Sequence, residues 1–331
     1  MSKSRTTSID LHERIGSSLP DIIELARFAP SVHNTQPWII RLEEDVIIVS
    51  VDPEHRLVDG DPTGRQTIIS LGIFIEAISI SAADLSFAVQ NVWLENGEAH
   101  LQLSQSKKKV NVSHLLQALK TRTTDRSIYD PAKLSIEMEQ RITKVPGKIK
   151  AKVWVLTDQK AIEEVAVLTA KGIGVALSNP QFREELSHYL VQPWSAKQRG
   201  ISTSSLYIPK LLAVCEPVLI RLGIGLGAEV ALERKRWLSA SAVVLITTPG
   251  DVADYWFAAG RAYLHVALTI EELGLSQATS AATVEASNYH EDIEGLVHTA
   301  QRLQSVLRIG KGATERSHSP RLSTKDLLTS H

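Results

Sequence analysis

One cysteine, Cys215, occurs in 331 residues, so no internal disulfide can form and a reducing, cytoplasmic setting is the expectation. Charge of one sign is equally scarce. The formal net charge is -1, which gives no electrostatic case for nucleic acid or an anionic membrane as partner. Met1 to Gly16 has basic residues but no apolar core behind them, and does not read as a secretory signal. The most apolar stretch, Leu211 to Leu226, is broken by Glu216, Pro217 and Arg221 and is too short and charged for a membrane span. His12, His33 and His55 are not at metal-ligand spacing, no Cys/His zinc pattern occurs, and no G-x-S-x-G elbow is present. What remains is the composition of an ordinary globular protein, 43% hydrophobic and 22% charged, long enough for one large domain or two.

Two segments share a pattern. Ser70 to Ser86 (SLGIFIEAISISAADLS) pairs without gaps with Gly260 to Ser276 (GRAYLHVALTIEELGLS), each with apolar residues at helical spacing. Each predicts a long, almost fully buried helix. Strand-like runs rich in Val and Ile flank both: Trp38–Leu42, Val46–Val51 and Val89–Leu94 in the first half, Ala151–Leu156, Ala242–Thr247 and Val306–Ile309 in the second. Gln105 to Asn111 is a polar, lysine-rich connection, after which His114 to Lys120 resumes a helical pattern. The expectation is an α+β fold of two related halves, 1–112 and 113–331, packed as a pseudo-dimer around one core. Strands and helices do not alternate strictly, so no doubly wound parallel sheet is expected.

The segment with most to say is Ala29-Pro30-Ser31-Val32-His33-Asn34-Thr35-Gln36-Pro37-Trp38, between a helical pattern ending at Ala26 and the strand from Trp38. Two prolines limit its conformations, and hydroxyl, imidazole and amide groups sit beside bare backbone. Such a loop suits the edge of a flat polar ring, though it also suits a plain turn with one buried Trp. His33 reads as an exposed loop histidine. A second segment, Lys120-Thr121-Arg122-Thr123-Thr124-Asp125-Arg126-Ser127, flanks hydroxyls with two guanidiniums, which suits a phosphate. Gly223 to Ala228 matches the dinucleotide fingerprint G-x-G-x-x-[G/A]. Pro217 interrupts the run before it, and the acids Asp251 and Asp254 lie beyond the next strand, so a flexible or amphipathic insertion fits better.

The first of these motifs resembles the A-P-S-x-x-N-x-Q-P-W segment of the nitroreductase family of flavoproteins, and more closely its internally duplicated, Acg-like branch. The resemblance implies a nitroreductase-like fold and bound FMN. It implies that the loop 29–38 meets the FMN ring through Pro30, Ser31, Val32 and Asn34 from the half opposite the cradle. Arg122, Thr124 and Arg126 match the Arg, Ser and Arg of the family's R-R-S-x-R-x-F opening, which grips the phosphate and ribityl chain; Thr123 and Ile128 replace its second Arg and its Phe. Arg236, before the strand from Ala242, matches a basic residue beside the flavin pyrimidine. Ser280 and Ala281, in the loop Ser276 to Ala282, fall near flavin N5, with Ala281-Ala282 where the family has Glu-Gly. Arg321 matches a terminal phosphate ligand, and Arg308 a structural or secondary one. Pro193 to Glu229 corresponds to a lid over the flavin.

The implied activity is an FMN-dependent oxidoreductase passing hydride from NAD(P)H to a nitroaromatic, quinone or similar small molecule. A flavin-sequestering protein with a covered cofactor and a specialised flavin oxidase in biosynthesis are the alternatives. No side chain is singled out as catalytic and no metal is expected. Because loop and cradle fall in different halves, one chain builds one site, as a monomer or weak homodimer.

Overall fold

The structure is a computed structural model that describes residues 2–108 and 110–329; Met1, Lys109, Ser330 and His331, and with them part of the 105–111 connection and both outer limits of the predicted halves, lie outside the described residues. The N-terminal elements are α1 (Ser2–Ala26), β1 (Trp38–Glu43), β2 (Val46–Val51), α2 (Arg65–Asp84), β3 (Phe87–Glu95) and β4 (Glu98–Gln105). There follow α3 (Ser113–Thr121), α4 (Ile136–Ile142), β5 (Lys152–Leu156), α5 (Gln159–Ser178), α6 (Pro180–Tyr189), β6 (Leu190–Val191) and β7 (Ile201–Ser202). The chain continues through α7 (Lys210–Leu222), α8 (Leu226–Leu238), β8 (Ala242–Thr248), α9 (Ala253–Glu272) and β9 (Ser276–Thr279). It closes with α10 (Ala282–Glu285), α11 (Tyr289–Leu296), β10 (Arg302–Gly310) and α12 (Thr324–Thr329).

Two antiparallel four-stranded sheets carry the fold, ordered β1-β2-β4-β3 and β5-β8-β10-β9. The orders are the same, and in each sheet a twenty-residue helix, α2 or α9, joins the second strand in sequence to the third. The mixed α+β expectation holds. β4 and β9 are additions to the predicted strands, and the supposed loop from Ser276 begins as strand β9.

α2 and α9 pack against each other at the centre. A Cβ on Gly72 would collide with the carbonyl oxygen of Phe257, and one on Gly260 with that of Ile69. The absence of a side chain at both glycines is what lets the backbones meet. This crossing corrects the predicted alignment. α9 starts and ends 188 residues after α2 (65 to 253, 84 to 272), which pairs Gly72 with Gly260; the gapless pairing of Ser70 with Gly260 is two residues out. Two residues turn a helix by roughly 200°, so that pairing matches opposite faces.

One large core runs through both sheets and both long helices, and includes Trp38 stacked on Phe74 with ring centroids 3.9 Å apart. β8 is buried on both faces: Ala242, Val244 and Ile246 join that core, Val243 and Leu245 a second one under α5, α8 and α11. α2 is long and apolar enough to cross a membrane, and it is buried in the core instead. Its Glu76 is held by Arg261 Nε at 2.6 Å and His265 Nε2 at 2.8 Å; burial pushes its carboxyl up, but these two partners leave it net below the usual range. The last segment crosses to the first sheet's side, where α12 packs on α1 and β1.

Candidate functional site

A cavity of about 510 Å³ lies beside this crossing, within the range of small-molecule sites. It is walled by the loop after α1, the start of α2, the segment after α3, the β9–α10 junction, the residues before α12, and α6 to α8. All twelve predicted site residues line it: Pro30, Ser31, Val32, Asn34, Arg122, Thr123, Thr124, Arg126, Arg236, Ser280, Ala281 and Arg321.

The segment after α3 is extended. Arg122 leaves the helix at φ -60°, ψ 138°, and Asp125 N donates to Gln277 O of β9 at 2.8 Å. Asp125 turns from the cavity, accepting from Ser127 N at 2.9 Å and Ala313 N at 3.0 Å, while Arg122, Thr124 and Arg126 line it. Arg122 is 5% exposed, and its Nε and Nη1, like the buried hydroxyls of Thr123 and Ser280, have no hydrogen-bond partner among the described residues.

Arg321 donates to Asn34 Oδ1 at 3.0 Å and to the carbonyls of Pro320 and Phe28, leaving Nε without a partner among the described residues. Burial, then the neighbouring Arg122 and Arg27, push its pKa down to about 9. Burial also pushes Arg122 and Arg126 down. Among the described residues, none of these three guanidiniums has a carboxylate within ion-pair distance. Arg122 and Arg321 repel each other and keep free N–H groups on the cavity wall, which makes an anion site with Arg126 beside it.

The loop 29–38 is also tied down by long-range hydrogen bonds. Asn34 Nδ2 donates to Gly200 O and Pro320 O, both at 2.9 Å, and its Oδ1 accepts from Arg321. Gln36 donates to Gln198 O at 2.8 Å and accepts from Leu322 N at 2.9 Å, and Thr35 O accepts from Arg199 Nε at 2.9 Å. Ser31 Oγ accepts from Gln36 N at 2.9 Å. The side-chain amides thus fasten the loop to residues 198–200 and 320–322. Asn34 lines the cavity with its side-chain amide bonded within the chain. His33, Asn34 and Gln36 all have positive φ (45°, 56° and 47°), a concentration of backbone strain typical of functional loops.

Three further residues have defined surroundings. Arg236 is buried and bonded to Glu229 and Glu233, both at 3.3 Å, and to Leu206 O. It lines the cavity with its guanidinium paired in this way. Arg308 is buried on the interior strand β10, stacked over Tyr129 at 4.0 Å and bonded to the carbonyls of Asp125, Ser127 and Arg236, as a structural arginine is. His33 is half-buried, with Nδ1 unpartnered among the described residues, and burial followed by Arg126 pushes its pKa down to about 4.

The glycines of Gly223 to Ala228 form a turn between α7 and α8, with positive φ at Gly223 and Gly225, so the strand–turn–helix of a dinucleotide site is absent there. The segment 193–229 does wall the cavity, through Ile201, Leu206, Glu216, Ile220 and Glu229. Sequence reasoning missed His318, which also lines the cavity; only its place between Arg316 and Arg321 hinted at it.

No family model matches the sequence. The chain is 23% identical over 191 residues to a probable NAD(P)H nitroreductase, PigM, of a Serratia species, covering 54% of this chain and 53%, about half, of that relative's length. It is 23% identical over 304 residues to an uncharacterised protein of Mycobacterium tuberculosis, covering 88% of this chain and 86% of that one. A putative NAD(P)H nitroreductase of the same species is 30% identical over 80 residues, 24% of this chain and 23% of its own. Among solved structures, the FMN-dependent nitroreductase NfnB of Mycobacterium smegmatis in complex with NADPH aligns with 65% of this chain and 96% of its own, at 13% identity and a TM-score of 0.42.

Proposed function

We propose that the chain is a member of the nitroreductase family and an FMN-dependent oxidoreductase transferring hydride from NAD(P)H to a small electron-poor acceptor such as a nitroaromatic or quinone. The observation that carries the reading is the trio of buried Arg122 and half-buried Arg126 and Arg321 around one cavity, without a carboxylate in ion-pair distance among the described residues. A phosphate monoester supplies the missing negative charge. The hydroxyls of Thr123 and Ser280 are free for a polyol or ring edge, so the residues present fit FMN.

In this reading Arg122, Arg126 and Arg321 hold the phosphate. Thr123, Thr124 and Ser280 bond the ribityl chain and ring edge, and the Ala281 backbone borders the ring. Pro30, Ser31 and Val32 pack against it. Bound FMN supplies the two-electron chemistry, and the protein supplies binding, orientation and electrostatics. The two halves, 1–112 and 113–331, contribute unlike parts to one site in the same chain, as in an internally duplicated, pseudo-dimeric nitroreductase.

A second reading, a flavin-holding protein with little turnover, draws on the fastening of residues 198–200 to Asn34, Thr35 and Gln36. One experiment separates the two. Purified protein is scanned for flavin absorbance and then mixed anaerobically with NADPH or NADH. Bleaching within seconds and reoxidation by menadione support the enzyme. Flavin that stays oxidised supports the covered cofactor, and absence of flavin after reconstitution with FMN removes both.

A further inference from the structure

The cavity has two ends of opposite character. Away from the cradle, under α6, α7 and α8, its wall is apolar: Phe182, Leu186 and Ile220 face it, with Ile173 and Leu177 of α5. Charge at this end is acidic. Glu216, Glu229 and Glu233 line it with Arg236, and Arg126 of the cradle acts on Glu229 and Glu233 but not on Glu216. Glu229 and Glu233 are both bonded to Arg236, so Glu216 is the carboxylate without an ion-pair partner among the described residues.

The sequence of α7 places Glu216 there against ordinary patterning. Glu216 and Ile220, one turn apart, face the cavity. Leu211 (77%), Leu212 (48%), Val214 (44%) and Val218 (49%) are turned to solvent. A helix that faces an acid inward and leucines outward pays for it unless the acid meets a partner. An unpartnered group beside this apolar wall points to a ligand: the buried Nδ1 of His33, whose ring centroid lies 6.2 Å from that of Phe182, lacks a partner among the described residues.

We propose that this end is the substrate chamber, and that it takes a molecule with an apolar body and a protonated nitrogen, the cation held by the carboxylate of Glu216. Burial, then repulsion from Glu229, push the Glu216 carboxyl up; a cationic ligand relieves both. His33, held neutral, adds no competing charge. The inference deepens the FMN reading by naming what is bound beside the cradle, and its test does not depend on flavin.

The probes are 2-(1-naphthyl)ethylamine and its uncharged counterpart 2-(1-naphthyl)ethanol, titrated calorimetrically into the purified full-length protein at neutral pH, with flavin content recorded separately. The amine is expected to bind about tenfold or more tightly than the alcohol, as a charge-assisted hydrogen bond requires. Glu216→Gln is expected to erase that preference while leaving alcohol binding, thermal midpoint and flavin content unchanged. Equal affinity for the two probes, no binding of either, or a preference that survives Glu216→Gln overturns the proposal. A protein without flavin that still prefers the amine upholds the chamber and overturns only the cofactor reading.

Discussion

Two cavity residues have expected outcomes that follow from their burial. Arg122 offers Nε and Nη1 to the cavity from a 5% exposed side chain. Arg122→Ala is expected to weaken FMN binding by about 2 kcal/mol, roughly thirtyfold in Kd, from the loss of a charged hydrogen bond. Flavin retained equally by variant and wild type through dialysis would remove Arg122 from the phosphate site. His33 has a folded pKa near 4, below its usual 6.5, because burial and Arg126 disfavour the cation. Between those values the unfolded chain binds more protons, so stability falls as pH drops from 6.5 to about 4. His33→Phe is expected to flatten that part of the urea-denaturation profile. The cradle was legible because residue types at alternating positions in an extended segment are a local property. The commitment of Asn34 was not legible, since its partners, Gly200 and Pro320, lie 166 and 286 residues away.

At the scale of elements, the α2–α9 crossing and the fastened loop are the parts open to test. Gly72→Ala places a methyl against the Phe257 carbonyl, and backbone cannot step aside as a side chain can. A loss of about 1–3 kcal/mol in chemical denaturation is expected, the ordinary cost of overpacking, and Gly260→Ala should match it by the near-symmetry of the crossing. A variant as stable as wild type would mean that the helices can separate at little cost. Asn34→Ala removes three hydrogen bonds that tie the loop to residues 200, 320 and 321. Faster limited proteolysis near residues 193–205 and faster flavin release are expected; an unchanged cleavage rate would deny the fastening. Both long helices were readable from apolar periodicity, but their register was not. Helices buried on nearly every side give a weak phase, and the glycines that set the crossing carry no hydrophobic signal.

At the scale of the whole molecule, the question is why one chain does what two identical subunits could do. Its two sheets share one strand order, and its long helices share one crossing. Yet the parts at the cavity are unlike: Pro30 to Asn34 come before α2, while Arg122, Ser280 and Arg321 come after β4. Two identical subunits with these parts would complete two sites. A single chain of unlike halves can keep one. The fastening contacts argue the same way, since Asn34 and Gln36 bind residues of their own chain on both the 198–200 and 320–322 segments. On the proposed reading the site is completed within one chain. A mass near 36.4 kDa by light scattering, with one FMN per chain that survives dilution, is the expected behaviour. Flavin lost in step with dissociation of a dimer, or one flavin per two chains, would place part of the site on a second copy.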